Sequence, residues 1–238
     1  MSTRLKTWLL FSSVTIASIL YLSCSASAPP AGKLSPPITV AGTAPLPKVL
    51  PVALPPVADW AAALPPLKVQ CANSGASESL RLYADDGSVD EQAVDAFSHI
   101  AADFNGYSPL NARLVQLAIK AAHHFHSTTL VVVSAYRQRR GNKSDHHTAG
   151  EALDFKLPGV DFRQLAAHLR GYPRVGVGIY TNPKTQYVHL DVRDRSYHWL
   201  DASPPGVTWR EALLPDPFQA TRDASYTPES DLPIESHL

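Results

Sequence analysis

Acidic residues are missing from the start of this 238-residue chain, and the first is Asp59. Over the whole sequence 21 basic and 21 acidic residues cancel, so the formal net charge is zero. That balance argues against a nucleic-acid partner, which would require a basic surface. Cysteine is also scarce. Cys24 and Cys71 are the only two, which excludes a disulfide framework and permits at most one bridge in an oxidising compartment. If Cys24 is lipidated or removed, Cys71 is left unpaired. No internal repeat is visible.

Charge that is present early is basic. Arg4 and Lys6 precede the apolar run Trp8 to Leu22, the pattern of a secretory signal or an N-terminal membrane anchor. Leu22-Ser23-Cys24 resembles the end of a bacterial lipoprotein signal, although Tyr21 departs from its aliphatic position. Cleavage near Ala26 or Ala28, or retention, fits as well. Residues 1–28 are therefore expected to be a signal peptide or a membrane or lipid anchor, exporting the chain to the periplasm or cell envelope. A membrane is then a partner if the segment stays attached. Eleven of the 21 prolines fall between Pro29 and Pro66. Proline fixes φ and removes donors, so 29–76 reads as an extended stalk or linker. The compact domain is expected over 77–206, and 207–238 as an irregular tail.

Within the domain, Ser79 to Ala84 alternates like a first strand. Ser88 to Glu91 forms a capping box, followed by Val94, Phe97, Ala101 and Phe104 at helical spacing, with Gly106 as a stop. Ser108-Pro109 is placed to open a second helix, whose apolar face is Leu110, Leu114, Leu117, Ala118 and Ala121. Thr128 to Ser134 is a β-branched run expected to be a buried strand. A short helix over Asp161 to Arg170 and strands over Val175 to Tyr180 and Tyr187 to Val192 complete the pattern. Helices come first and strands cluster later, which predicts an α+β fold with helices packed on a largely antiparallel sheet.

Two stretches carry chemistry. In Ser144 to Phe155 (SDHHTAGEALDF), a loop holding His147 turns at Gly150 and enters a strand on which Ala152 and Asp154 share a face. In Tyr187 to Asp191 (YVHLD), Tyr187, His189 and Asp191 share one strand face, and Val188 and Leu190 take the other. Histidine nitrogen and carboxylate oxygen are zinc ligands, and a catalytic site takes three such ligands with one open position. By spacing alone, a hydrogen-bonded structural His and Asp fits as well as a metal site. His123, His124 and His126 suit the end of the second helix, where positive charge opposes the dipole.

His147-Thr-Ala-Gly-Glu-Ala-Leu-Asp154 resembles the His-x-x-Gly-x-Ala-x-Asp signature of the zinc D-alanyl-D-alanine peptidase and hedgehog-domain superfamily. Ser134-Ala-Tyr-Arg137 is similar to that family's Ser-Gly-Tyr-Arg. Gly176 to Tyr180 with Tyr187 to Asp191 resembles the closing strands of its YcbK-like murein endopeptidase branch. The resemblance runs from about Glu78 to Gly206. It implies the hedgehog/D-Ala-D-Ala peptidase-like fold, a Zn2+ cofactor held by His147, Asp154 and His189, and His146 at a variable position. It further implies that Arg137 binds substrate and stabilises an oxyanion. By residue type, Tyr180, Tyr187 and Trp199 suit the border of a substrate groove, and core packing suits Tyr180 and Trp199 at least as well. The substrate class implied is peptidoglycan stem peptides or their cross-links, cut by an endopeptidase or a carboxypeptidase. Where many relatives carry a glutamate three residues before the last ligand, this chain has Gln186. The His-x-Asp pattern nominates Asp191 as the general base, and a role orienting His189 fits equally. Glu151 is an outside candidate. A zinc-containing peptidoglycan-binding module without hydrolysis is the alternative. A serine hydrolase finds no support, because Ser134 and Ser144 lack a Gly-x-Ser-x-Gly context.

Overall fold

A computed structural model of the chain describes residues 59–102, 106–138, 145–207 and 212–234. Its elements run α1 (Asp59–Ala63), β1 (Leu67–Cys71), β2 (Ser77–Leu80), α2 (Glu91–Ala101), α3 (Ala112–His124), β3 (Thr129–Ser134) and β4 (Ala152–Lys156). Then follow α4 (Phe162–Leu169), β5 (Val175–Tyr180), β6 (Val188–Val192), β7 (Tyr197–Asp201), β8 (Ala212–Leu213) and α5 (Gln219–Ala224), with a 3-10 turn at Pro228–Asp231. The eight strands form one mixed sheet in the order β2-β1-β3-β4-β6-β5-β7-β8. Only β1–β3 and β5–β7 pair in parallel. The fold is α+β, as the element order predicts.

Helices α3 and α4 pack on the centre of the sheet and α2 covers β1. Alternation makes this possible. Leu153 and Phe155 on β4, Val188 and Leu190 on β6, and Val177 on β5 turn towards the helices and are fully buried. Each such side chain contributes about 1.5–3 kcal/mol when removed from water. The opposite side chains of β4 and β6 are then left to carry the polar residues.

Three helix starts show how local chemistry chose the boundaries. Asp161 caps α4, accepting from Arg163 N and Gln164 N. For α2 the cap is Asp90, accepting from Gln92 N, and not the expected Ser88 box. For α3 it is Asn111, accepting from Arg113 N, three residues beyond Ser108. In each case a side-chain oxygen nearer the first turn satisfies an otherwise orphaned amide.

The expected domain limits are too narrow at both ends. Part of the 29–76 segment is structured: β1 is an interior strand, with Leu67, Val69 and Cys71 buried. Its alternating apolar residues outweigh the prolines before it. Cys71 is a free, buried thiol. At the other end, described residues of the 207–238 segment pack on the domain. Asp231 is buried and accepts from Arg113 Nε at 2.8 Å and Tyr226 Oη at 2.9 Å. Asp223 accepts from Arg174 N at 2.6 Å and Ser196 N at 2.8 Å. The apolar run Trp8 to Leu22, the prolines before Asp59, Phe104, and the basic residues Arg139, Arg140 and Lys143 lie outside the described residues. Among the described residues, no helix is long and apolar enough to cross a membrane.

Candidate metal and active site

Strand register brings together what the sequence keeps apart. One row crosses five strands: Ser134 on β3 opposite Asp154 on β4, then His189 on β6, Gly178 on β5 and Trp199 on β7. The next row holds Ala152, Asp191, Gly176 and Tyr197. His147 joins from the turn before β4. That turn depends on Gly150, whose φ is +72° and where a Cβ would stand 2.5 Å from the Pro109 carbonyl oxygen. A side chain there would be strained and would also collide with backbone.

His147, Asp154 and His189 therefore converge, each at most 6% exposed. One ligand atom from each lies within 4.8 Å of the others. His189 Nδ1 is 2.8 Å from Asp154 Oδ1 and 3.2 Å from His147 Nε2, and His147 Nε2 is 3.5 Å from Asp154 Oδ1. The outer nitrogens of the two rings are engaged. His147 Nδ1 donates to the Ala135 carbonyl at 2.6 Å, and His189 Nε2 faces Asp191 Oδ2 at 3.0 Å. With those outer nitrogens protonated, the inner ones present lone pairs to each other and to a carboxylate. Three buried acceptors facing one point call for a positive charge, and this donor set suits zinc.

The electrostatics agree. Burial disfavours the imidazolium of His189, yet hydrogen bonds and charge from Asp154 and Asp191 prevail and push it up to about 9. Burial also works against the Asp154 carboxylate, but His147 and His189 hold it well below the usual range. Asp191 is held low in the same way by His189 and Arg193.

Arg137 reaches the group from the strand end after β3. Its Nη2 donates to Asp154 Oδ2 at 2.7 Å and meets His147 Nε2, and its Nε donates to Ser134 Oγ at 3.0 Å. Tyr187 and Tyr180 stack with ring centres 4.5 Å apart, both half-buried. Burial, then the Asp154 charge, pushes the Tyr187 phenol up to about 12.

Asp191 stands on the far side of the His189 ring from the converging atoms. Both its oxygens are bound by Arg193 and one also faces His189. Glu151 is engaged as well, with Oε2 3.1 Å from His146 Nδ1, which gives His146 a partner. Gln186 is exposed, with φ of +37°, at the turn into β6. His124 stacks on His168 at 3.7 Å, and neither belongs to the group around His147. His198 lies within β7 and is buried.

Sequence reasoning missed Arg193, the Ala135 carbonyl and the two glycines of β5. A signal for Arg193 existed, since it follows Asp191 by two residues on a strand. Gly176 and Gly178 had one too, because glycine inside a strand marks a close approach by another group. The carbonyl of Ala135 had none, being backbone.

Comparison with known proteins gives a family match. Residues 61–199, more than half of the chain, fit the model of a family described as peptidoglycan L,D-endopeptidase MepK, a peptidase family. All the residues of the converging group fall inside that span. No curated protein and no solved structure matches the chain.

Proposed function

Because the chain belongs to the family of the peptidoglycan L,D-endopeptidase MepK, we propose that it is a zinc-dependent peptidase acting on peptidoglycan peptides or their cross-links. The observation that carries the zinc reading is the convergence of His147 Nε2, Asp154 Oδ1 and His189 Nδ1 in a buried group beside Arg137. The basic start before the apolar run Trp8 to Leu22, a pattern typical of export signals, supports a place in the periplasm or envelope, where that substrate lies.

His147, Asp154 and His189 would hold the metal. The chemistry zinc supplies in such a site is polarisation of an amide carbonyl and activation of water. The chain's own residues do the rest. The Ala135 carbonyl fixes the tautomer and tilt of His147, and Asp191, clamped by Arg193, does the same for His189. Arg137 places a guanidinium where negative charge develops on the amide oxygen during attack. Tyr187, stacked on Tyr180 just before β6, forms an aromatic wall.

A second reading rests on a specific observation. Gln186 cannot act as a base, Asp191 is locked behind His189, and Glu151 is engaged by His146. This favours a binding module that keeps the metal without hydrolysis. One experiment separates the readings: cross-linked muropeptides incubated with the purified protein, with and without a chelator, then analysed by mass spectrometry. The peptidase reading expects chelator-sensitive release of peptides. Retention of intact muropeptides by zinc-loaded protein, with no cleavage, favours the module.

A further inference from the structure

We infer that Trp199 is a positioning residue for His189, seated in a slot that Gly178 leaves open on β5. This rests on the reading of His147, Asp154 and His189 as a metal site.

Gly178 stands between His189 and Trp199 in the register row that crosses β6, β5 and β7. A Cβ added there would lie 2.5 Å from Cε2 and Cζ2 of the Trp199 indole and 2.9 Å from its Nε1. Gly178 has no positive φ, so backbone freedom does not require glycine here. The requirement is space. The indole fills the position of the missing side chain and reaches across β5 until its ring centre is 5.0 Å from that of His189.

Trp199 is only 6% exposed, and its Nε1 has no hydrogen-bond partner among the described residues. Buried polar groups are normally paired, so no hydrogen bond explains this side-chain position. Shape does. Gly178 forms the floor of the slot, and on other sides Tyr197 lies 5.7 Å away and the Arg193 guanidinium 6.0 Å. Gly176 repeats the device one row away, where a Cβ would stand 2.2 Å from Asp191 Oδ2 and 2.5 Å from Arg193 Nη2. The two glycines thus leave room on β5 for two braces of the same imidazole, Trp199 crossing β5 from β7 and Asp191 leaning over it from β6, beside His189. Asp191 holds its Nε2 edge, and Trp199 packs against the ring. Together they set where Nδ1 points, which is what a ligand to a metal must have fixed.

The test is zinc affinity, measured on the full chain by competition with a chromophoric chelator. Thermal unfolding of the metal-free protein is followed in parallel. Trp199→Ala removes the brace without a collision and is expected to weaken zinc about 10-fold or more, as loss of orienting partners commonly does. Trp199→Phe keeps an aromatic ring in the slot and should restore most of the affinity. Gly178→Ala should weaken zinc because it displaces the indole. The double variant Gly178→Ala/Trp199→Ala should be no worse than Trp199→Ala alone, because the collision partner is gone. Unchanged affinity in Trp199→Ala, or strictly additive losses in the double variant, overturns the inference. So does a lowered unfolding temperature with affinity intact, which marks Trp199 as structural only. Failure of the unsubstituted protein to bind zinc would instead overturn the metal reading beneath it.

Discussion

His189 Nε2 lies 3.0 Å from Asp191 Oδ2, while His189 Nδ1 lies 2.8 Å from Asp154 Oδ1. The imidazole is held between two carboxylates with different work. On the proposed reading one would share a metal ion, and the other would keep the ring aimed. Replacing Asp191 by Asn should therefore act on metal binding before it acts on proton transfer. A loss of about 10- to 100-fold in zinc affinity is expected, measurable by chelator competition. Normal affinity with abolished turnover would instead restore Asp191 as the base.

Arg137 should separate in the opposite sense. Its guanidinium donates to Asp154 and placing it there helps no ligand bind a cation. Arg137→Ala is expected to lower kcat by about 10²- to 10³-fold, the cost of losing one oxyanion donor. Zinc affinity should hold or rise, since a positive charge leaves the group. Steady-state kinetics and metal titration on the same variant check both halves.

The pH dependence has a defined sign. In the metal-free protein His189 titrates near 9, above its ordinary 6.5. A raised histidine contributes stability that is complete below about 6.5 and is lost as pH rises through 9. Melting of chelator-treated protein should therefore fall across that window. Zinc binding should strengthen over the same window, because the ligand must shed its proton. His189→Ala, folded or not, should remove the zinc trend.

The C-terminal segment should prove part of the domain. The side chain of Asp231 is 4% exposed and pairs with Arg113, 18% exposed. Breaking a buried pair by removing one partner costs about 3–5 kcal/mol. Asp231→Ala should lower the denaturant midpoint accordingly, and truncation before residue 212 should do at least as much. A truncated chain as stable as the whole would show the segment to be dispensable.

Much of this was legible in the residues. Alternation in Tyr187 to Val192 and the β-branched run before Ser134 placed the strands, and spacing around Gly150 placed the turn that carries His147. The residues proposed as ligands were named from motifs, and register then showed them converging. What escaped has physical reasons. β1 hid behind proline, because composition averages over a window and a five-residue strand does not dominate one. The tail hid because its hold on the domain is polar, through Asp223 and Asp231, and polar pairing has no periodicity. The ambiguity over Asp191 could not be resolved on one strand. The surroundings of Asp191 come from elsewhere: Arg193 binds both its oxygens, and Gly176 on the neighbouring strand leaves room for them.

The most direct test couples metal content to hydrolysis. Zinc stoichiometry by elemental mass spectrometry and cleavage of cross-linked muropeptides should be measured on the same preparations of unsubstituted, His147→Ala and His189→Ala protein. The account predicts one zinc and peptide release for the first, and loss of both for the variants with the fold retained. Full cleavage by folded variants that hold no zinc would contradict it.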